Sequence, residues 1–361
     1  MVPRNHVVLA LFLVVSSAVA QTPAHSRAAV TAADSRPTFK VLKKNPHLPV
    51  LSQERTNTCW SFGTVSMLES EIQRVSGKEV DLSEMWFARM GILEKAERFV
   101  LLQGNGRFDE GGLAHDVTEI LRKHGALPIA AFTGLPKDCT TLDHAPLWKD
   151  LQLAVKPLVA PSSKLPTGWR TDILSIADRH LGSALPFKVD PKTFSETLGI
   201  KGEDYVEVMS DAHLPFDDQQ ELLVPDNWLR WQKFRNRPID DFVMLLKDAI
   251  RSGATASIDC DVSEPGFQME RGVADVLADS TITQESRDAA FQSRDTTDDH
   301  LMHAVGLAED EHGKTWFLVK NSWGKSGPYA GYLYMSERYL RMKCLNFMVH
   351  RAFVPEHVKK S

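Results

Sequence analysis

Apolar residues recur at helical spacing in four segments of the chain. The first predicted helix begins at Cys59 and ends before Gly77, and Thr56, Asn57 and Thr58 can each cap its start. Its apolar face consists of Phe62, Val65, Leu68, Ile72 and Val75. The same spacing predicts helices over about 113–124, 171–181 and 240–251.

The C-terminal third has a different pattern, which is typical of β-strands. Short apolar runs bounded by turn residues predict strands at 255–260, 304–308, 316–320, 331–335 and 345–353. Residues 126–235 contain many prolines and only short apolar runs, so they predict a long insertion whose pairing the pattern does not assign. Helices early in the chain and strands late predict an α+β fold with two lobes.

The N-terminus has the pattern of a signal peptide. Arg4 precedes an apolar run over 7–15, and an A-x-A ending predicts cleavage after Ala20. The run is too short to span a bilayer, and the alternatives are an uncleaved anchor or a buried strand. The pattern therefore predicts a secreted or periplasmic protein with a flexible lead-in over 21–45 and a folded domain over 46–361.

Charge and cysteine content exclude several classes of function. The formal charge of −5 and the absence of a basic tract argue against a nucleic-acid partner, and no segment after Ala20 is apolar enough to suggest a membrane span. The four cysteines contain no CxxC pair, which argues against a zinc finger or a disulfide scaffold. If Cys59 stays reduced, at most one bridge can form among Cys139, Cys260 and Cys344, and the sequence does not say which.

Cys59 is the candidate nucleophile because it lies in the first turn of a predicted helix. A helix N-terminus lowers the pKa of a thiol and offers its N–H groups to a developing oxyanion. Gln53, six residues upstream, can add a side-chain amide donor to that oxyanion hole. The alternative is a buried, unreactive cysteine beside Trp60.

His303 and Asn321 are the candidate base and its orienting residue. His303 precedes an apolar strand, and Asn321 follows the next strand across a hairpin, so the two can be neighbours. Asn321 can then accept from one ring nitrogen and leave the other nitrogen facing the thiol. No metal or cofactor is needed for this chemistry.

Three motifs resemble the papain-like cysteine peptidases: Q-x5-C-W-S-F at Gln53, H-A-V-G at His303 and N-S-W-G at Asn321. The finer resemblance is to a secreted member of the bleomycin hydrolase and aminopeptidase C branch, and it covers roughly residues 40–358. The separation of Cys59 from His303 by 244 positions (303 − 59) fits that branch. The segments that carry this finer match are 82–85, 111–112, 224–228 and 354–356.

The resemblance implies a two-lobed fold, with the cysteine helix in a helical left lobe and a β-barrel-like right lobe. It also implies that Cys59 is the nucleophile, His303 the general acid/base, Asn321 the orienting residue and Gln53 an oxyanion donor.

It implies as well that Trp323 shields the His303–Asn321 hydrogen bond and that Gly111 and Gly112 line the substrate cleft. Core packing and turn geometry are the alternatives for the tryptophan and the glycines.

The resemblance implies peptide or protein substrates, no cofactor, aminopeptidase action and, in many members of the branch, a homohexamer. In that branch a C-terminal arm enters the cleft, but only residues 357–361 follow Glu356 here, which makes endopeptidase or oligopeptidase action an alternative. A catalytically inactive binding protein is a second alternative. A metal-dependent hydrolase is a third, because Asp298, Asp299, His300 and His303 are close in sequence, although no HExxH motif is present.

Overall fold

The computed structural model describes residues 37–161, 164–182, 189–277 and 281–356. These residues belong to one compact unit that begins at Pro37. The predicted signal peptide, the first part of the predicted lead-in and residues 357–361 lie outside the described residues. None of the helices within the described ranges has the length and apolar character to cross a membrane.

The N-terminal half of the described chain forms a helical layer around one apolar core. Its first helix, α1, spans Cys59–Ser76, as predicted, and Gly77 ends it in the left-handed conformation with φ of 71°. Val65, Leu68 and Ile72 of α1 are almost completely buried. The other helices of this layer are α2 (Glu84–Leu101), α3 (Ala114–His124), α4 (Ala145–Val155), α5 (Trp169–Leu181) and α6 (Pro191–Glu196).

Helix α2 is the longest element that the sequence pattern did not predict. The Ser83 side chain accepts a hydrogen bond from the Trp86 N–H and caps the helix. Buried residues occur all around α2, and they include the charged Glu84, Arg89 and Lys95. A helix that is buried on every side has no one-sided apolar stripe, so periodicity does not reveal it.

The C-terminal half supplies most of a single mixed sheet. Its strands pair in the order β3-β4-β2-β11-β5-β8-β9-β10-β7-β6, and β1 pairs with the far half of β8. The strands are β1 (Lys40–Lys44), β2 (Tyr205–Met209), β3 (Gln219–Gln220), β4 (Phe234–Asn236), β5 (Ala256–Cys260), β6 (Phe267–Gln268), β7 (Val273–Ala274), β8 (His300–Glu309), β9 (Thr315–Lys320), β10 (Tyr332–Ser336) and β11 (Cys344–His350).

Three further helices, α7 (Ile239–Arg251), α8 (Gln284–Ser293) and α9 (Glu337–Lys343), accompany the sheet. Apolar residues of α7 and α9 form a second core with β5, β8 and β11. The predicted α+β class is therefore confirmed. The predicted insertion, 126–235, is partly built into the main sheet, because β2 pairs with β11 and β4 pairs with β2.

The predicted flexible lead-in, 21–45, is wrong over Lys40–Lys44. This segment is strand β1, which pairs antiparallel with β8. Phe39, just before it, stacks on the ring of Tyr334 with centroids 3.9 Å apart. The side chains of β1 are mostly exposed, so the segment is held by backbone pairing that its composition does not reveal.

The sequence left open which two of Cys139, Cys260 and Cys344 could form a disulfide, and the sheet register brings one pair together. Cys260 and Cys344 are both buried and are register partners on β5 and β11, whereas Cys139 is exposed. All four cysteines are free thiols in this structure.

Candidate active site

Cys59 lies at the point where α1 meets the beginning of β8. Gly63, one turn further along α1, lies so close to β8 that an added Cβ would be 3.1 Å from the Leu301 carbonyl carbon. The backbone N–H of Leu301 lowers the pKa of the Cys59 thiol, so the thiol faces the peptide unit that follows His300. The side chain of Cys59 is partly exposed at this junction.

Asn321 is hydrogen-bonded to His300. The two atoms are His300 Nε2 and Asn321 Oδ1, 2.8 Å apart, and the ring of Trp323 stacks on that of His300 with centroids 4.8 Å apart. Since Asn321 Oδ1 can only accept, Nε2 carries the proton of the neutral ring. Nδ1 is then the ring nitrogen that carries no proton.

The predicted hydrogen bond between His303 and Asn321 is wrong. His303 Nδ1 lies 2.8 Å from Ser66 Oγ, and Lys320 Nζ donates to the same hydroxyl. His303 Nε2 is buried without a hydrogen-bond partner among the described residues. Ser66 follows Cys59 by seven residues (66 − 59), which is about 10 Å along the helix axis.

The misassignment has a simple cause in strand geometry. Side chains alternate between the two faces of a strand, so residues three positions apart point to opposite faces. The sequence pattern began this strand at Ala304, whereas β8 begins at His300. His303 was selected as the histidine at the start of the strand that leads across a hairpin to Asn321. The same criterion selects His300 once the true boundary of β8 is used.

The structure brings Gln53 next to the Asn321 segment. Ser322 Oγ donates to Gln53 Oε1 at 2.6 Å, and Gln53 N donates to Ser322 O at 2.8 Å. One Nε2 proton goes to Thr56 O, so the second remains for another acceptor. No acceptor among the described residues takes the backbone N–H of Cys59. Both donors are therefore unused within the described residues.

Thr58 precedes α1 without the predicted side-chain cap. Its hydroxyl lies 2.6 Å from that of Thr56, while its carbonyl accepts from the backbone N–H groups of Ser61 and Phe62. The first N–H groups of the helix thus remain uncapped by side chains, which suits an anion-binding helix end.

Electrostatics favour a neutral thiol and a neutral imidazole. Burial raises the pKa of Cys59 to about 12, Leu301 N–H opposes that shift, and the carboxylates of Asp259, Asp298 and Asp226 add to it. Burial lowers the pKa of His300 to about 4, against the hydrogen bond to Asn321. The lowering of the thiol pKa that was expected from the helix terminus is therefore outweighed.

Gly111 and Gly112 are both positions where a side chain has no room. An added Cβ would lie 2.3 Å from Asp226 Oδ2 at Gly111 and 2.5 Å from Asp116 Oδ2 at Gly112. Lys95 Nζ donates a hydrogen bond to the backbone carbonyl of Gly111. The glycines therefore let the backbone pass close to the buried carboxylate of Asp116 and the partly buried one of Asp226, and their contact with a substrate stays a prediction.

Gly112→Ala is expected to destabilise the fold by about 1–3 kcal/mol, since Asp116 is fixed by the Leu113 N–H and Trp228 Nε1 and cannot move aside. Thermal unfolding measures this loss. Gly106→Ala is the matched control, because its added Cβ would meet only Leu102 Cδ1 at 3.5 Å. Equal melting temperatures for the two variants would contradict the packing argument.

The four residues that suggested a metal site do not converge. His300 is bonded to Asn321, His303 to Ser66, and Asp299 to Thr297 and the Ser263 N–H. Within the described ranges, metal-compatible spacing occurs at Asp211, His213 and Asp288. Their carboxylates already accept protein N–H groups, Asp211 from His213 and Asp288 from Ala212 and Gln284.

The sequence of this chain was compared with models of known protein families. Residues 186–361 match the Peptidase C1-like family. The match covers 176 residues (361 − 185), just under half of the 361-residue chain.

Two curated relatives match the chain over part of its length. Aminopeptidase C of Lactobacillus delbrueckii subsp. lactis is 25% identical over 181 residues, which cover 46% of this chain and 39% of that protein. Bleomycin hydrolase of Homo sapiens is 27% identical over 135 residues, 35% of this chain and 30% of that protein. The matched region thus spans less than half the length of these relatives. The resemblance to the bleomycin hydrolase and aminopeptidase C branch is confirmed by these matches.

Among solved structures, PepW of Lactobacillus rhamnosis HN001 has a TM-score of 0.71 and 17% sequence identity to this chain. The alignment covers 88% of this chain and 83% of PepW. The predicted papain-like fold is therefore confirmed.

Proposed function

We propose that this chain is a cysteine peptidase in which Cys59 is the nucleophile, His300 the general acid/base and Asn321 its orienting residue. The observation that carries the proposal is the hydrogen bond between His300 and Asn321 under the Trp323 ring, next to a cysteine at a helix N-terminus. The base is thus His300, in place of the His303 that the sequence predicted.

In the proposed reaction, the Cys59 sulfur forms a bond to the carbonyl carbon of the scissile peptide while its proton passes to His300 Nδ1. Gln53 Nε2 and the Cys59 N–H donate to the developing oxyanion. The C–N bond then breaks as His300 returns the proton to the leaving amine, which leaves a thioester. Water attacks the thioester, His300 takes its proton, and the acid product leaves with the thiol restored.

Asn321 and Trp323 act on the ring of His300. The amide accepts from Nε2 and thereby orients Nδ1 toward the thiol. Because the amide is neutral, it does not stabilise a charged imidazolium in advance, so the ring becomes charged only when it takes the thiol proton. Trp323 covers the ring on one face, although 38% of the tryptophan itself stays exposed. The cover keeps water from competing for the hydrogen bond.

The finer proposal is aminopeptidase action, which the name of the relative aminopeptidase C supports. One peptide with a free or an acetylated N-terminus tests it, with and without the epoxide E-64. We expect hydrolysis of the free peptide, loss of hydrolysis after E-64, and mass addition at Cys59 that is absent in Cys59→Ala.

Equal cleavage of the acetylated peptide would replace aminopeptidase by endopeptidase action. Activity of Cys59→Ala equal to that of the parent would contradict the cysteine peptidase proposal itself.

A further inference from the structure

Two buried acceptor side chains, Asp259 and Asn346, and the partly exposed Asp298 lie in one region beside the candidate nucleophile. Asp259 on β5 is the register partner of Leu301 on β8, and Asn346 on β11 is the register partner of Asp259. Leu301, Asp259 and Asn346 thus form a row across three neighbouring strands. The row begins at Leu301, whose backbone N–H the Cys59 thiol faces. Asp298, two residues before His300, lies against Asp259.

This region is short of hydrogen-bond donors. Asn346 Nδ2 donates to Asp259 Oδ2 at 2.8 Å, and the backbone N–H of Asp226 donates to Asp298. No N–H group of the described residues reaches Asp259 Oδ1, Asp298 Oδ2 or Asn346 Oδ1, so the two carboxyls have only a proton held between them. Asp259 and Asn346 are at most 1% exposed. Buried acceptors without donors are costly, and a ligand that brings donors removes that cost.

The charge of the region is also uncompensated. No basic side chain of the described residues forms an ion pair with Asp259 or Asp298. Asp259 and Asp298 can hydrogen-bond to each other only while one of them holds a proton. Asp226 lies nearby against Gly111, and its charge is balanced by Arg107 at 2.8 Å. Asp298 is partly exposed as a residue whereas its Oδ2 atom is buried, so a ligand reaches the pair by entering past the exposed atoms of Asp298.

We propose that Asp259, Asp298 and Asn346 form a subsite beside the Cys59 thiol that takes a protonated amine or guanidinium of the peptide substrate. The cation displaces the proton shared by the two carboxyls and donates hydrogen bonds to the unpartnered oxygens. This inference rests on the proposed peptidase function and specifies its substrate class. The cation has two sources, the free amino terminus or a lysine or arginine side chain.

Three peptide amides with one fluorescent leaving group test the subsite: acetyl-norleucyl-glycyl, acetyl-lysyl-glycyl and norleucyl-glycyl with a free amino group. We expect kcat/KM to be about 10- to 100-fold higher for at least one cationic peptide than for the neutral one, as a charge-assisted contact supplies. The better of the two cationic peptides identifies the source of the cation.

Asp259→Asn and Asp298→Asn are expected to reduce this ratio to within about threefold of unity, since each removes a charge from the pair. Asp248→Asn, on the exposed side of α7, is the matched control and keeps the ratio. If Asp259→Asn does not fold, Asp298→Asn carries the test, because its side chain is partly exposed.

A second measurement detects the charge directly at the thiol. Because Asp298 raises the pKa of Cys59, Asp298→Asn is expected to speed alkylation by iodoacetamide at a fixed pH near neutrality. Asp248→Asn leaves that rate unchanged.

The subsite would be overturned if kcat/KM were the same for the cationic and neutral peptides, or if the higher value for a cationic peptide survived both substitutions. In either case Cys59 labelling and cleavage of the neutral peptide would still support the peptidase proposal. Absence of both labelling and cleavage would overturn the peptidase proposal first.

Discussion

His300→Ala is expected to lower kcat/KM for a peptide substrate by about 10²–10⁴-fold, the range that a general acid/base contributes. His303→Gln is expected to leave kcat/KM within about threefold of the parent, because its ring is bonded to Ser66 two helical turns away from Cys59. Steady-state kinetics on a purified pair of variants measures both effects. The comparison decides between two histidines that are only three residues apart.

Folding must be checked before the kinetics are compared. Both histidines are buried, so near-UV circular dichroism and thermal unfolding should show that each variant keeps its tertiary structure. E-64 labelling of Cys59 gives a further control in His303→Gln. A loss of activity in a folded His303→Gln protein with intact His300 would contradict our assignment and restore the one made from sequence.

The pH dependence follows from the position of His300. Burial lowers its pKa to about 4, so the ring is neutral and able to accept a proton at any pH above that value. Activity on a neutral peptide should therefore persist through weakly acidic solution and fall below about pH 4. A pH–rate profile checks this, and half-maximal activity at the ordinary histidine value near 6.5 would contradict the burial of the ring.

The sequence predicted well those features that are local in the chain. Both ends of helix α1 were predicted correctly, although Thr58 makes no side-chain cap; Gly77 ends the helix in the left-handed conformation. Asn321 and Gln53 were selected by their spacing from other motifs, and the structure brings the two segments together through Ser322. Their catalytic roles remain proposals.

The features that failed depend on strand register, which is set between distant segments. Whether His300 or His303 meets Asn321 is decided by where β8 begins and which face each side chain takes. The same holds for the cation subsite: Asp259 and Asn346 are 87 residues apart and are joined only by the pairing of β5 with β11. No spacing rule within the chain identifies such a row.

His303 has a structural place, in a buried polar cluster that also contains Ser66, Glu69, Glu84 and Lys320. Ser66 accepts from Lys320 and contacts His303, and Glu69 accepts from the Leu82 N–H. Burial raises the pKa of Glu84 to about 8 and that of Glu69 well above its ordinary value, while Lys320 opposes both shifts. Lys320 therefore matters most when these carboxyls are ionised.

Lys320→Met is expected to destabilise the fold by on the order of 3 kcal/mol at pH 8, because it leaves buried carboxylates without their cation. At pH 5 the loss should be much smaller. Glu84 has a pKa of about 8 in the folded state and an ordinary one, near 4.5, when unfolded, so it holds its proton in the folded protein at pH 5 and releases it as the pH approaches 8. Burial raises the pKa of Glu69 in the same direction. The difference in melting temperature between parent and variant is the measurement.

Lys123→Met is the matched control for this effect. Lys123 pairs with Glu94 at 2.7 Å on the surface, and hydrogen bonds from His124 and Lys123 lower the pKa of Glu94 to about 2. Glu94 is thus ionised at both pH values, and the control should lose no more than about 1 kcal/mol at either one. An equal loss of stability for Lys320→Met at pH 5 and pH 8 would contradict the electrostatic explanation. Lys320 would then stabilise the fold through packing and its hydrogen bond to Ser66.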